Sequence, residues 1–170
     1  MSLLHTRPSA AESSPYYFGY IRLVPDGDII ETLRLQLAEV QGLLRSVAAG
    51  AQPAAEAWSI NQELAHMSDA ERLLGFRALW FARGETAALP GMDPDLWMAR
   101  IEPGGRTLPD LLAEFAQVRA ASIALFAGLN AAAWEQRGDA GGHTMSVRAW
   151  MWSVAGHAQH HINNWRAQYQ

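Results

Sequence analysis

The feature that most constrains the fold is the apolar pattern of residues 29–47. Apolar side chains recur there at intervals of three and four residues, which is the spacing of one face of an α-helix. They are Ile29, Ile30, Leu33, Leu37, Val40, Leu44 and Val47. Asp26 or Asp28 can cap the start of this helix, and Gly50 is expected to end it. Because a helix with one apolar face must bury that face, the segment predicts a helix packed against other helices.

Two further segments carry clear helix-start signals. Ser59 and the glutamine three residues later form a capping box, which opens a helix expected to run to about Ala82. Thr107, with a proline in the first turn and an aspartate near the positive end of the helix, opens another helix that ends near Gly128.

A fourth helix is predicted to start at Thr144 or Ser146 and to continue toward Tyr169. With no β-alternating run in the sequence, these segments predict an all-α four-helix bundle that forms one domain over residues 26–170. The connection between the second and third helices, residues 83–106, is longer than most connections inside a compact domain. We expect it to form a crossover or a lid over a site.

Residues 1–25 precede the bundle and contain several prolines and a glycine. These breakers predict an irregular segment that packs across the bundle as an extended strap. The aromatic side chains of this strap are Tyr16, Tyr17, Phe18 and Tyr20.

The composition of the 170 residues, 49% hydrophobic and 18% charged, is that of an ordinary globular protein. A net charge of −4 provides no basic surface for phosphates, which argues against nucleic acid as the main partner. There are no cysteines, so disulfides, thiolate metal sites and a cysteine nucleophile are excluded. We see no signal peptide, and the longest uncharged stretch, 120–134, is too short to span a bilayer. We therefore expect a cytoplasmic protein without a membrane partner.

Three histidines give the strongest indication of function. His157 and His161 lie four residues apart in the fourth helix, so their imidazoles share one face about 6 Å apart along the axis. His66 lies in the middle of the second helix among apolar neighbours. Each could be a hydrogen-bonded core residue or part of a polar helix end, but together they favour a site for one divalent metal ion. His160 is rotated about 100° from His161 and is expected at the rim of the site.

Two well-known helical metal motifs are incomplete. Glu63 and His66 form one Glu-x-x-His, but a di-iron site needs this motif twice. Ala158 occupies the position at which a zinc protease carries its general-base glutamate. A single ion with three imidazole ligands and open coordination positions remains, which is typical of a catalytic site. Imidazole ligands suit zinc, nickel and iron alike.

Several motifs together resemble those of the DinB/YfiT-like superfamily. They are Trp58-Ser59, Glu63-Leu64-Ala65-His66-Met67-Ser68-Asp69-Ala70-Glu71, Leu89-Pro90-Gly91-Met92-Asp93, Val147-Arg148-Ala149-Trp150 and His157-x-x-His160-His161. The resemblance runs from about residue 28 to residue 166. It implies a four-helix bundle, often dimeric, in which His66, His157 and His161 hold one divalent metal ion.

Related members of that superfamily are thiol-dependent S-transferases or isomerases that use a low-molecular-weight thiol such as bacillithiol or mycothiol. The resemblance therefore implies a metal-dependent thiol S-transferase acting on small electrophiles. Since the chain has no cysteine, its sulfur nucleophile would arrive as a cosubstrate. The alternatives are a metal-dependent hydrolase and a non-catalytic metal-binding module of a stress response.

Charged residues near these motifs are further candidates. Glu63, Asp69 and Glu71 flank the histidine of the second helix and could orient a ligand or act as a base, although a solvated helix face would also explain each. Arg100 and Arg106 in the long connection could bind an acidic thiol, although most surface arginines bind nothing.

The seven tryptophans exceed what one bundle core readily hides, and aromatic residues are typical of interface cores. We therefore expect a homodimer formed through helix faces, with Trp80, Trp97 or Trp134 contributing. Packing inside the core would explain these residues almost equally well.

Overall fold

The computed structural model describes residues 6–45, 47–48, 51–54, 57–101 and 105–169. A single 3₁₀ turn at Ala10–Glu12 precedes the helices. The helices are α1 (Pro15–Ile21), α2 (Ile29–Leu44), α3 (Ile60–Ala82), α4 (Pro94–Met98), α5 (Leu108–Ala127), α6 (Ala131–Glu135) and α7 (Val147–Tyr169). Strands β1 (Arg137–Ala140) and β2 (His143–Ser146) form an antiparallel hairpin between α6 and α7.

The predicted four-helix bundle is confirmed, and it consists of α2, α3, α5 and α7. Both α2 and α3 pack against α5 and α7. The interior contains two groups of buried apolar side chains, one around Trp150 and Trp152 and the other around Phe115 and Trp165. No described helix is both long enough and apolar enough to cross a membrane.

The helix starts follow the capping residues of the sequence. Asp28 accepts hydrogen bonds from two backbone N–H groups at the start of α2, and Ser59 and Thr107 form capping boxes on α3 and α5. At α7 the cap is Ser146, whose Oγ accepts from a backbone N–H at 3.1 Å, whereas Thr144 lies within β2. The end predicted for α2 at residue 50 lies outside the described residues, and the helix is observed to end at Leu44.

The expectation of an extended strap near the N-terminus is wrong, because the aromatic residues lie on the short helix α1. Ser14 caps this helix by accepting from the N–H of Tyr17, and Pro15 occupies its first turn, where proline is favourable. Helix α1 packs directly on α7 at Gly156. A Cβ at this glycine would lie 2.3 Å from the carbonyl oxygen of Tyr20, so only glycine permits so close an approach.

The hairpin was also not predicted. Its strands have four residues each, too few for an alternating pattern to be recognised, and the turn is Gly141-Gly142 with positive φ angles of 64° and 80°. Leu89 of the long connection joins the hairpin: its N–H donates to Asp139 and its carbonyl accepts from Gly141, both at 2.9 Å. At Leu89 the connection is therefore held against the hairpin.

A buried ion pair links three helices of the bundle. The guanidinium of Arg119 on α5 donates from Nε and Nη2 to the carboxylate of Glu71 on α3, with a shortest distance of 2.8 Å. Its Nη1 donates to the carbonyl of Leu33 and to the side chain of Gln36 on α2. Hydrogen bonds require a particular distance and angle, so this network fixes the relative positions of the three helices.

The tryptophans suggested for a dimer interface do not share one environment. Trp134 is 3% exposed and belongs to the core, so its burial is explained within one chain. Trp80 is half-buried, with its indole N–H donating to the carbonyl of Ala87. Trp97 on α4 is 39% exposed. The homodimer stays a prediction, and Trp97 is the residue among the three that best fits it.

Candidate metal centre

The packing of α3 on α7 brings the three predicted ligands together. His66 projects from α3, and His157 and His161 project from one face of α7. One nitrogen from each ring lies within 4.8 Å of the others, and the Nε2 atoms of His66 and His157 are 3.1 Å apart. Among the described residues this is the group of histidine, aspartate and glutamate side chains arranged to hold a metal ion.

The donor set fits a divalent transition metal. Two nitrogens bound to one tetrahedral ion at about 2.0–2.1 Å are about 3.4 Å apart, which is close to the observed spacing of His66 and His157. Three imidazoles without a carboxylate also match the ligands of catalytic sites, which leave a position open. The ring of Trp58 lies 5.2 Å from that of His66 and covers one side of the cluster.

Burial keeps the three imidazoles neutral. It lowers the pKa of His66 although Asp69 and Glu63 oppose this effect. It lowers the pKa of His157 well below its ordinary value and that of His161 to about 3, with the neighbouring histidines adding to both effects. At neutral pH each ring therefore keeps a lone pair for a metal ion.

Glu63 lies directly beside the cluster. Its Oε2 accepts a hydrogen bond from the indole N–H of Trp165 and lies 3.7 Å from Nδ1 of His161. This Nδ1 is buried and has no hydrogen-bond partner among the described residues. Burial raises the pKa of Glu63, although Trp165 and the nearby histidines oppose this effect. The carboxylate thus lies on the Nδ1 side of the His161 ring without a hydrogen bond to it at this distance.

The two other acidic candidates are engaged elsewhere. The carboxylate of Asp69 pairs with Arg72 at 3.1 Å on the surface of α3. Glu71 is bound on both oxygens by Arg119, so its carboxylate serves the core network and does not reach the histidines. The contacts of Glu71 therefore do not support the expectation that it acts at the site. Residues close together in the sequence of a helix point in different directions, so Glu71 and His66 face different neighbours.

A cavity of about 580 Å³ opens beside the cluster. The three histidines line it together with His160, whose ring centroid lies 5.3 Å from that of His161. Gly91 and Met92 of the long connection also line the cavity, so this part of the connection lies at the site, as expected for it. No aspartate or glutamate is found among the described residues that line this cavity.

The arginines suggested for thiol binding do not line the cavity. Arg106 forms an ion pair with Glu114, which also binds Arg72. Arg100 is exposed, just after α4. Both arginines belong to the long connection in the sequence, but neither of them lies at the site.

Sequence reasoning missed the arginine that does line the cavity, Arg77. It follows His66 by about three helical turns and lies on the same face of α3, so helical spacing contained a signal for it. It also missed Tyr17, Tyr20 and His143, because their positions depend on α1 and the hairpin, which were not predicted.

Comparisons with known proteins agree with this architecture. The sequence model described as the DinB superfamily matches residues 29–163. The fold is similar to that of YfiT from Bacillus subtilis, described as a probable metal-dependent hydrolase with an unusual four-helix bundle topology. The TM-score is 0.73 with 14% identity, over 99% of this chain and 96% of that one. No curated protein matches the sequence.

Proposed function

This chain belongs to the DinB superfamily, and on that premise we propose that it is a metal-dependent hydrolase whose ion is held by His66, His157 and His161. The observation that carries the proposal is the convergence of these three neutral imidazoles, those of His66 and His161 buried and that of His157 half-buried, in the lining of a cavity. The description of YfiT as a probable metal-dependent hydrolase supports the same reaction class.

A divalent ion held there, zinc, nickel or iron, would act as a Lewis acid that polarises a substrate oxygen and lowers the pKa of a ligated water. The protein's own groups then position the substrate and move protons. His160 lines the cavity, and its Nε2 lies 3.2 Å from the amide nitrogen of Asn164. Because an amide nitrogen only donates, Nε2 of His160 is the acceptor of this hydrogen bond. His160 is thus the group we assign to proton transfer.

Tyr20 is the hydrogen-bond donor that we assign to the developing negative charge. Its ring contacts those of His157 and His160, with centroids 5.5 and 5.6 Å away. Burial raises the pKa of Tyr20, and the neighbouring hydroxyl of Tyr16, 3.4 Å away, adds to the effect. The phenol therefore stays protonated at neutral pH and can donate to an oxyanion.

A thiol S-transferase is the second candidate. The cavity of about 580 Å³ is within the usual range for small-molecule sites, and its described lining carries no carboxylate that would repel a thiolate. Bacillithiol or a similar low-molecular-weight thiol would then be the cosubstrate and a small electrophile the substrate. Arg100 and Arg106 are not needed for this reaction, since they lie outside the cavity lining.

Cobalt-substituted protein separates these two reactions. A hydrolase would cleave members of a panel of small esters and amides with no thiol present, whether or not bacillithiol, mycothiol or glutathione produces a sulfur-to-cobalt charge-transfer band. An S-transferase would give that band on titration with one of these thiols and would consume thiol and electrophile in equal amounts. A protein that binds cobalt but shows neither behaviour would be the non-catalytic module, and the hydrolase proposal would fail.

A further inference from the structure

A buried arginine in the cavity has no acidic partner. Arg77 is 2% exposed, and its guanidinium lies over the ring of Trp150, 5.1 Å from the centroid. Its Nη1 donates to the hydroxyl of Tyr17 at 2.9 Å, and its Nη2 donates to the carbonyl of Pro90 at 3.1 Å. Its Nε has no hydrogen-bond partner, and no carboxylate pairs with it among the described residues.

The other fully buried arginine shows how the same fold compensates such a charge. Arg119 is 0% exposed and is neutralised by both carboxylate oxygens of Glu71. A buried cation without a counter-ion is costly unless something else supplies the negative charge. Arg77 differs from Arg119 in lining a cavity, so a ligand can supply that charge.

The surroundings of Arg77 suit an anion. The hydroxyl of Tyr17 accepts its hydrogen bond from Arg77 and so keeps its own proton free to donate. Burial raises the pKa of Tyr17, although the charge of Arg77 opposes this effect, and the phenol remains a donor at neutral pH. His143 packs edge-on against the Tyr17 ring at 5.1 Å and lines the same cavity.

The spacing along α3 sets the shape of the ligand. Arg77 and His66 lie on one face of the helix, with Cα atoms about 16 Å apart along the axis at about 1.5 Å per residue. The long arginine side chain shortens this distance, and apolar residues such as Leu73 and Leu74 line the cavity along this face. A ligand that reaches both ends therefore has an acidic group at one end, an apolar middle and its reactive group at the other end.

We propose that the cavity binds a small organic acid, with its carboxylate on Arg77 and Tyr17 and its reactive group at the histidine cluster. The planar fork of an arginine matches the two oxygens of a carboxylate, which makes this side chain selective for such groups. The inference rests on the proposed function in assigning a substrate class to the same site. Its carboxylate end, however, can be tested without any metal ion.

Calorimetric titration of EDTA-treated protein with phenylbutyrate and with its neutral amide tests this end of the site. Without metal, an ion cannot attract the carboxylate, so any preference comes from the protein. We expect at least tenfold tighter binding of the acid than of the amide. In Arg77→Met the preference should vanish, and in Tyr17→Phe it should fall several-fold. Arg100→Gln, a change at an exposed arginine outside the cavity, should keep the full preference.

Equal binding of acid and amide by the unaltered protein would overturn the inference, as would an undiminished preference in a folded Arg77→Met protein. Circular dichroism shows whether Arg77→Met folds. If it does not, the Tyr17→Phe protein is the test, and an unchanged preference for the acid over the amide in that protein overturns the inference. Metal content measured on the same samples separates the two proposals. If the protein binds metal but does not prefer the acid, only the organic-acid inference is wrong. If it prefers the acid but binds no metal, only the proposed metal-dependent function is wrong.

Discussion

The Nε2 atoms of His66 and His157 lie 3.1 Å apart although the residues are 91 positions apart in the chain. Two neutral imidazole nitrogens at this distance either share a proton or bind a common ion. The third ring, His161, lies next to both, with centroids 5.5 Å from His66 and 4.7 Å from His157. One shared proton satisfies two nitrogens only, whereas one metal ion satisfies all three.

The close packing of α1 on α7 predicts that Gly156→Ala destabilises the fold. The new Cβ would lie 2.3 Å from the carbonyl oxygen of Tyr20, and this backbone atom cannot move aside cheaply. Overpacking of this kind costs about 1–3 kcal/mol in the free energy of unfolding, measured by urea denaturation. Gly42→Ala in α2 is the control, since nothing lies within 4 Å of its Cβ, and it should be neutral or stabilising by up to about 1 kcal/mol. Equal effects of the two changes would contradict this account of α1.

The buried ion pair predicts a large effect of Glu71→Gln on stability. Removing the carboxylate leaves Arg119 charged and buried without a counter-ion, which costs about 3–5 kcal/mol in the free energy of unfolding. Asp69→Asn breaks the exposed pair with Arg72 and should cost less than about 1 kcal/mol. Urea denaturation of both variants measures the difference. A small loss in Glu71→Gln would mean that Glu71 is not the essential partner of Arg119.

The carboxylate of Glu12 in the N-terminal segment predicts that the stability of the fold decreases in acid. Burial alone would raise the pKa of Glu12, but the hydrogen bonds and charge of Arg148 and the backbone N–H of Ser9 outweigh burial and hold the pKa below 4.5. Because the folded state binds the proton less tightly than the unfolded state, Glu12 stabilises the fold above about pH 4.5. That contribution is lost as the pH falls through the folded-state pKa.

Urea denaturation of the unaltered protein and of Glu12→Gln across this pH range measures the effect. The stability difference between the two proteins should be largest near neutral pH and should shrink toward zero below pH 4.5. A difference that stays constant with pH would show that the charge of Glu12 does not contribute.

The exposed Trp97 makes the homodimer testable. Light scattering at micromolar concentration should return twice the chain mass of 18.7 kDa if the dimer forms. Trp97→Ala should then shift the mass toward that of the monomer, because aromatic residues at interface centres contribute most of the binding energy. Trp134→Ala is not a suitable probe, since this side chain is buried in the core. A monomeric mass for the unaltered protein would reject the dimer.

The parts of the structure that were predictable from sequence depend on local spacing. The capped starts of α2, α3 and α5 and the pairing of His157 with His161 follow from residues within a few positions of each other. Helix α1 was missed because its local start signal, Ser14 followed by Pro15, was taken as a chain breaker, and its close packing on α7 at the distant Gly156 leaves no local pattern. Short, marginal helices of this kind depend on tertiary packing rather than on their own sequence.

The charged residues of the site also divide into those that local sequence spacing indicates and those that only the fold reveals. Glu63 lies beside the cluster, and its position about one turn before His66 on α3 made it a candidate from local spacing. Arg119, the partner of Glu71, lies 48 positions away in the chain, and no local sequence pattern indicates such a pair. Arg77 had a local signal in its spacing from His66, but only the fold shows that it is buried without a carboxylate.

The central claim is that the three histidines bind one metal ion, and elemental analysis of the native protein and its variants tests it most directly. We predict one equivalent of a divalent metal per chain, and loss of that metal in His66→Ala, His157→Ala and His161→Ala with helical circular dichroism largely retained. His143→Ala, which removes an imidazole of the same cavity outside the cluster, should keep the full equivalent. Full metal content in the His66→Ala protein would contradict the claim.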